Sequence, residues 1–74
     1  MNSHSMGYLI HHYREIRGVG LTELARKIGV SKQTVWNWEN LKRQPSIKHI
    51  IAVSKALDVD LFKEFEPLLN KEER

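Results

Sequence analysis

The sequence contains no cysteine, which excludes a disulfide framework and a thiolate metal site and leaves the core to be held by packing alone. It has no apolar run near the roughly 18–20 residues that a membrane span requires. A basic start followed by an apolar stretch, the mark of a secretory leader, is missing as well. Nor does any segment alternate apolar and polar residues as a half-buried strand would. With 74 residues in all, the chain has room for one small domain and little room for an enclosed substrate cleft. A soluble cytoplasmic protein is the expectation.

Acidic residues are scarce in most of the chain. Residues 1–57 carry nine Lys and Arg against three Asp and Glu, a balance of +6, whereas residues 58–74 carry three against six, a balance of −3. The two parts give the overall +3. A basic body with an acidic end points to a polyanionic partner for the first part, although charge for solubility alone would look the same.

What is present reads as helix throughout. Residues 1–8 have no clear periodicity and are expected to be an irregular start. From Leu9 or Ile10 to Arg17, the spacing of Ile10, Tyr13 and Ile16 predicts a first helix, broken by Gly18 and Gly20. Leu21, Leu24, Ala25 and Ile28 predict a second, ended by Gly29. Ser31 is placed to cap a third, reaching about Asn40 with Val35 and Trp38 inward. After the basic loop Leu41 to Pro45, Ser46 caps a fourth with Ile47, Ile50, Val53, Ser54 and Leu57 on its buried side. Leu61, Phe62 and Phe65 begin a short fifth that Pro67 should interrupt, and residues 70–74 form a solvated tail. The chain is therefore expected to be all-α, a single five-helix domain over residues 9–69.

The stretch Leu21 to Asn40 carries the functional signal. Two helices meeting steeply across a short turn need a small residue where they approach, a glycine at the corner and apolar residues beyond it. Ala25, Gly29, Val30, Val35 and Trp38 supply these in order. That is the pattern of a helix-turn-helix.

Over residues 9–66 the sequence resembles the phage-repressor and Cro-like (XRE) helix-turn-helix family. The matching elements are Arg14, LARKIGVS (Leu24–Ser31), WEN (Trp38–Asn40), KRQPS (Lys42–Ser46) and KALDV (Lys55–Val59). The resemblance implies a lambda-repressor-like fold of five helices that binds DNA, usually as a dimeric transcription regulator. It also implies an ion pair of Arg14 with Glu39, structural rather than functional, tying the first helix to the third. Two departures stand out. Gly20 and Leu21 stand where many members have a polar residue and then glutamine, which removes a side-chain phosphate contact and leaves backbone N–H groups to serve. Leu41 stands where the family favours glycine, so Asn40 is expected to take the left-handed conformation instead.

The reading face follows from the helical wheel. With Val35 and Trp38 inward, the opposite side of the third helix holds Gln33, Trp36, Asn37 and Asn40, with Lys32 at its edge. Glutamine and asparagine suit the N6 and N7 edge of adenine, and lysine suits guanine or phosphate. No Asp or Glu precedes Glu39 on this face. Lys32, Gln33, Thr34, Trp36 and Asn37 are the candidates for base reading. For Trp36 two placements stay open: packing on a sugar or a thymine methyl, or covering the flank of the second helix. Arg26, Lys27, Asn40, Lys42 and Arg43 are the candidates for the DNA backbone, where contacts position without specifying sequence.

Other chemistries find little support. His11 and His12 are adjacent, so on a helix they point about 100° apart and cannot act as an i, i+4 metal pair. No Gly-rich phosphate loop or nucleophile elbow occurs. No catalysis, cofactor, metal, membrane contact or small-molecule effector is expected. Leu61, Phe62, Phe65, Leu68 and Leu69 exceed what one short helix needs to seal a core, which suggests a homodimer interface. The partner is expected to be double-stranded DNA, since a helix cannot enter the deep, narrow major groove of RNA. The competing reading is a protein-interaction module on the same fold, such as an antitoxin.

Overall fold

The computed structural model describes residues 5–65. Four helices follow one another: α1 (Met6–Arg17), α2 (Leu21–Ile28), α3 (Lys32–Glu39) and α4 (Ile47–Leu57). Residues 61–65 are helical again. No strand occurs among the described residues, and no helix there is long and apolar enough to cross a membrane.

Serine begins three of the helices. Ser5, Ser31 and Ser46 each have extended backbone and accept a hydrogen bond from the third residue of the helix they open, Tyr8, Thr34 and His49. The expected irregular start over residues 1–8 is corrected here: residues 6–8 are helical, and Met6 and Gly7 are buried. Periodicity missed this turn because a glycine at the second helical position looks like a break. Residues 1–4, Pro67, Leu68, Leu69 and the tail from 70 lie outside the described residues.

All four helices close in one way. A left-handed closing residue bonds back to a carbonyl three before it, and the next residue to one five before it, which uses two otherwise orphan carbonyls. Gly18 and Val19 bond to Glu15 and Arg14, Gly29 and Val30 to Arg26 and Ala25, Leu41 and Lys42 to Trp38 and Asn37, Asp58 and Val59 to Lys55 and Ser54. Val19, Val30 and Val59 then pack against the core. The motif demands a left-handed residue, and only two of the four are glycine. Leu41 has φ 60° and Asp58 φ 55°.

Asp58 is exposed, and its carboxylate sits at the negative end of the α4 dipole. Replacing it with glycine removes a left-handed strain of about 1–2 kcal/mol, partly offset by about 0.4–1 kcal/mol of unfolded-chain entropy. Asp58→Gly should therefore stabilise the domain by about 0.5–1 kcal/mol, read as a higher urea midpoint. An unchanged or lower midpoint would mean the strain is not felt.

The core is built from Leu9 and Ile10 of α1, Leu24 and Ala25 of α2, Val35 and Trp38 of α3, and Ile50, Val53 and Leu57 of α4, closed by Leu61. Helix α2 packs on α3 and α4, and α1 packs on the same two. Arg17 reaches across from α1 to donate to the carbonyls of Leu57 and Asp58 (2.8 and 3.1 Å), a cation at the end of α4 where the dipole favours one. Tyr13 Oη donates to Glu64 Oε1 (2.9 Å), which joins α1 to the helical residues 61–65. That hydrogen bond is the main reason the Tyr13 phenol is held above its ordinary ionisation range.

Two apolar positions depart from the expected stripes. Ile16 and Ile47 are exposed, Ile47 at 68%. Both stand at helix ends, Ile47 as the first residue of α4, where the helix has not yet reached its neighbours. Leu61, expected at a dimer interface, is fully buried inside the protomer. It seals the core beside Leu57 and has no surface to offer a second copy.

Candidate nucleic-acid interface

Helices α2 and α3 are joined by the three residues Gly29 to Ser31. Gly29 has φ 76°, which turns the chain at the corner. Ala25 and Leu24 on one side of the corner and Val35 and Trp38 on the other are buried together. The small residue, the glycine and the apolar wedge therefore meet as their spacing requires.

A buried ion pair fixes α3 relative to α1. Arg14 Nε lies 2.7 Å from Glu39 Oε2 and its Nη2 lies 3.0 Å from Oε1, a two-pronged contact. The third guanidinium nitrogen donates to the Val19 carbonyl (2.9 Å). The hydrogen bond to Glu39 raises the Arg14 pKa further, against the opposing effect of burial. His11 Nδ1 is 2.9 Å from Glu39 Oε1, so a third side chain joins the pair. His11 lies three residues before Arg14 on the same side of α1. That spacing stands in the sequence, but the partner Glu39 lies 28 positions away from His11, beyond the reach of any local pattern.

The other side of α3 faces outward. Lys32, Gln33, Trp36 and Asn40 are exposed and Asn37 is half-buried. Gln33 and Asn37 straddle the line opposite the core, and Gln33 Nε2 donates to Asn37 Oδ1 (3.1 Å). Thr34 is half-buried with its hydroxyl 2.8 Å from that of Ser31, so it belongs to the cap as much as to the face. Asn40 folds its side-chain amide back onto the Trp36 carbonyl (2.9 Å). Trp36, 38% exposed, lines a shallow cavity with Leu21, His11, Arg14, Glu39 and Asn40. It thus stands beside the start of α2 while keeping part of its ring open.

Helix α2 begins at Gly20 with no side-chain cap. Gly20 and the first-turn residues Leu21, Thr22 and Glu23 line a groove together with Arg26 and Lys32. Arg26 and Lys32 share this groove, whereas Lys27 is exposed but not part of it. Glu23, in the first turn of α2, is a carboxylate on the same rim.

The loop after α3 corrects one expectation. Asn40 has φ −101°, and it is Leu41 that is left-handed. The reason lies in the closing bonds: the Asn37 carbonyl accepts from both Lys42 and Arg43 (2.9 and 3.3 Å), which carries the reversal to residue 41. Leu41 approaches α1 at Gly7, where it lines a cavity with Trp38, Lys42 and Arg43. Lys42 and Arg43 are both exposed, and their own N–H groups are anchored to the Asn37 carbonyl of α3.

Comparison with known proteins agrees with this geometry. A family model described as helix-turn-helix matches residues 10–63. The HTH-type transcriptional regulator SinR of Bacillus subtilis (strain 168) is 42% identical over 57 residues, which cover 76% of this chain and 51% of that protein. SinR of Bacillus licheniformis gives the same figures. Among solved structures, SinR, the master regulator for biofilm formation, in complex with DNA superposes with a TM-score of 0.72 at 38% identity, over 77% of this chain and 92% of the other. A SinR protein/SinI protein complex also gives a TM-score of 0.72, at 31% identity, over 92% of this chain and 78% of the other. The chain spans about half the length of the curated relatives it matches. By its motif, its fold and these matches, the chain belongs to the XRE-type helix-turn-helix family.

Proposed function

We propose that the protein is a sequence-specific, double-stranded DNA-binding regulator of transcription that places α3 in the major groove. The observation that carries this reading is the outward face of α3. It presents a lysine and three amide side chains, with its one carboxylate, Glu39, turned inward and neutralised by Arg14. Such a face can approach phosphates without repulsion and can donate and accept at base edges. The similar regulator SinR, of the same fold, has been solved with DNA. Lys32, Gln33 and Trp36 read bases, with Asn37 beside Gln33 and Thr34 at the margin. Arg26, Lys42 and Arg43 hold the backbone, Asn40 and Lys27 contribute less, and the uncapped N–H groups of α2 stand in for the missing glutamine.

A homodimer on a two-fold-symmetric site completes the proposal, its reading helices about 34 Å apart. With Leu61 buried, the contact falls to Phe62, with half-buried Phe65 beside it, and extends to Ile51 and Ile47 on the outer side of α4. Lys55, Asp58 and Asp60 line the groove between Ile51 and Phe62. A rim of both signs complements itself under a two-fold rotation and would repel a polyanion. The same apolar residues favour the second reading, a protein-interaction module, and SinR has been solved with SinI, a protein partner.

Selection from a random duplex pool at about 150 mM salt separates the two readings. A two-fold-symmetric enriched site supports the DNA-binding dimer, and an unenriched pool favours the interaction module. Lys42→Ala and Arg43→Ala should weaken binding to selected and random duplexes alike. Each should also reduce the slope of log affinity against log salt by roughly 0.9, the value for one phosphate contact. A loss confined to the selected site would move these residues to base reading.

A further inference from the structure

We infer that Gln33 and Asn37 form one reading unit, in which Asn37 is a positioning residue that holds the Gln33 amide for a single adenine and reads no base of its own. The inference rests on the DNA-binding reading above and specifies how its central contact works. Gln33 and Asn37 lie one turn apart at the middle of the outward face, and the Gln33 Nε2 to Asn37 Oδ1 hydrogen bond spans 3.1 Å. A free glutamine on a helix surface loses rotamer freedom when it is fixed. Here the bond to Asn37 restricts the side chain before any partner arrives, and a contact formed from a restricted side chain is stronger for that reason.

The chemistry of the pair then selects the base. One Nε2 hydrogen of Gln33 is committed to Asn37, which leaves the second hydrogen and the Oε1 lone pairs. That is one donor and one acceptor side by side. In the major groove the adenine edge answers with an acceptor at N7 beside a donor at N6, whereas guanine presents two acceptors. Asn37, half-buried and with its Oδ1 already accepting, is poorly placed to make a second bidentate contact at a neighbouring base. Its backbone carbonyl holds the N–H groups of Lys42 and Arg43. The unit therefore sits at the junction of the reading helix and the phosphate-contacting loop.

The test uses the full chain, the duplex selected by the wild type, and the variants Gln33→Ala, Asn37→Ala and the double variant. Asn37→Ala keeps the carbonyl that anchors the loop, so its thermal midpoint should stay near that of the wild type. Gln33→Ala should weaken the selected site roughly 5- to 150-fold, the range of one bidentate contact, with little change on random DNA. Repeated selection with Gln33→Ala and with Asn37→Ala should relax the same position of each half-site, one that the wild type fills with adenine. The double variant should bind no more than about twofold more weakly than Gln33→Ala alone, the mark of two residues acting through one contact. The inference is overturned if Asn37→Ala relaxes a different position, if the single losses multiply in the double variant, or if the shared position prefers guanine. A wild type that enriches no sequence overturns the DNA-binding reading itself, and this inference falls with it. Enrichment followed by independent losses overturns only the coupling.

Discussion

Gly7→Ala should destabilise the domain by about 3 kcal/mol, the top of the usual range for overpacking a tightly packed site. In an exposed helix the same change would stabilise by about 1 kcal/mol, because alanine is the better helix former. The sign therefore reports the tertiary contact. A β-carbon at residue 7 would overlap the Trp38 carbonyl oxygen, lie 3.0 Å from its carbon and 3.2 Å from Leu41 Cδ2. The first two obstacles are backbone at the end of α3 and cannot swing aside like a flexible side chain. Either α1 tilts away and exposes Met6, Leu9 and Ile10, all buried in the same stretch, or α3 shifts and disturbs its closing bonds. Gly20→Ala is the control, since a β-carbon there meets nothing within 4 Å. It should cost less than about 1 kcal/mol, the scale of a changed N-cap. A Gly7→Ala protein with the wild-type urea midpoint would show that α1 and α3 separate without penalty, and the close approach would carry no weight.

That glycine also marks where the sequence could be read and where it could not. The helix-turn-helix was legible because its requirements are local: Ala25, Gly29 and Val30 lie within six residues, and each has one mechanical purpose. Gly7 was not, because its partner Trp38 is 31 positions away and a glycine near a chain start looks like irregular structure. The left-handed Leu41 was misplaced onto Asn40 for a related reason. Conformational preference favours asparagine at such a position, but the closing bonds to Trp38 and Asn37 place the reversal one residue later. Leu61 reads as interface from its company of apolar neighbours, yet it belongs to the core cluster. The Leu61 N–H bonds to Ser54 Oγ (3.3 Å), which turns the chain back so that Leu61 drops onto the core. By contrast, the polar side of α3 was legible from the wheel alone, since Val35 and Trp38 set its phase.

Glu39→Ala should cost about 3–5 kcal/mol, the scale for breaking a buried ion pair from one side. The expected loss comes less from the missing attraction than from what is left behind. Arg14 is buried, and its Nε would lose its acceptor, while Nη1 kept the Val19 carbonyl and Nη2 only the longer contacts to His11 Nδ1 (3.3 Å) and the Glu15 carboxylate (3.7 Å). Relief by deprotonation is closed to it. A guanidinium keeps its proton in proteins whatever its partner; in the wild type the hydrogen bond to Glu39 raises the Arg14 pKa further, a shift that the variant loses. The stability linked to this shift is complete below the ordinary guanidinium pKa and is lost only as the pH rises through the raised one. Throughout the range in which proteins are handled, the orphaned group stays a cation. The double variant Arg14→Met with Glu39→Leu should recover most of the loss, because apolar residues of similar volume can replace a buried pair at little cost. A double variant as unstable as Glu39→Ala would instead mean that the pair is needed for its own attraction.

The consequence for DNA differs from that of any reading residue. Arg14 and Glu39 are buried behind the outward face, and their ion pair ties α3 to α1. In Glu39→Ala, selected and random duplexes should both lose affinity, with base preference kept in whatever fraction remains folded. The recovered double variant should bind like the wild type. If it folds but has lost base preference, the ion pair aims the helix as well as stabilising it, since stability would then be restored while the pose is not.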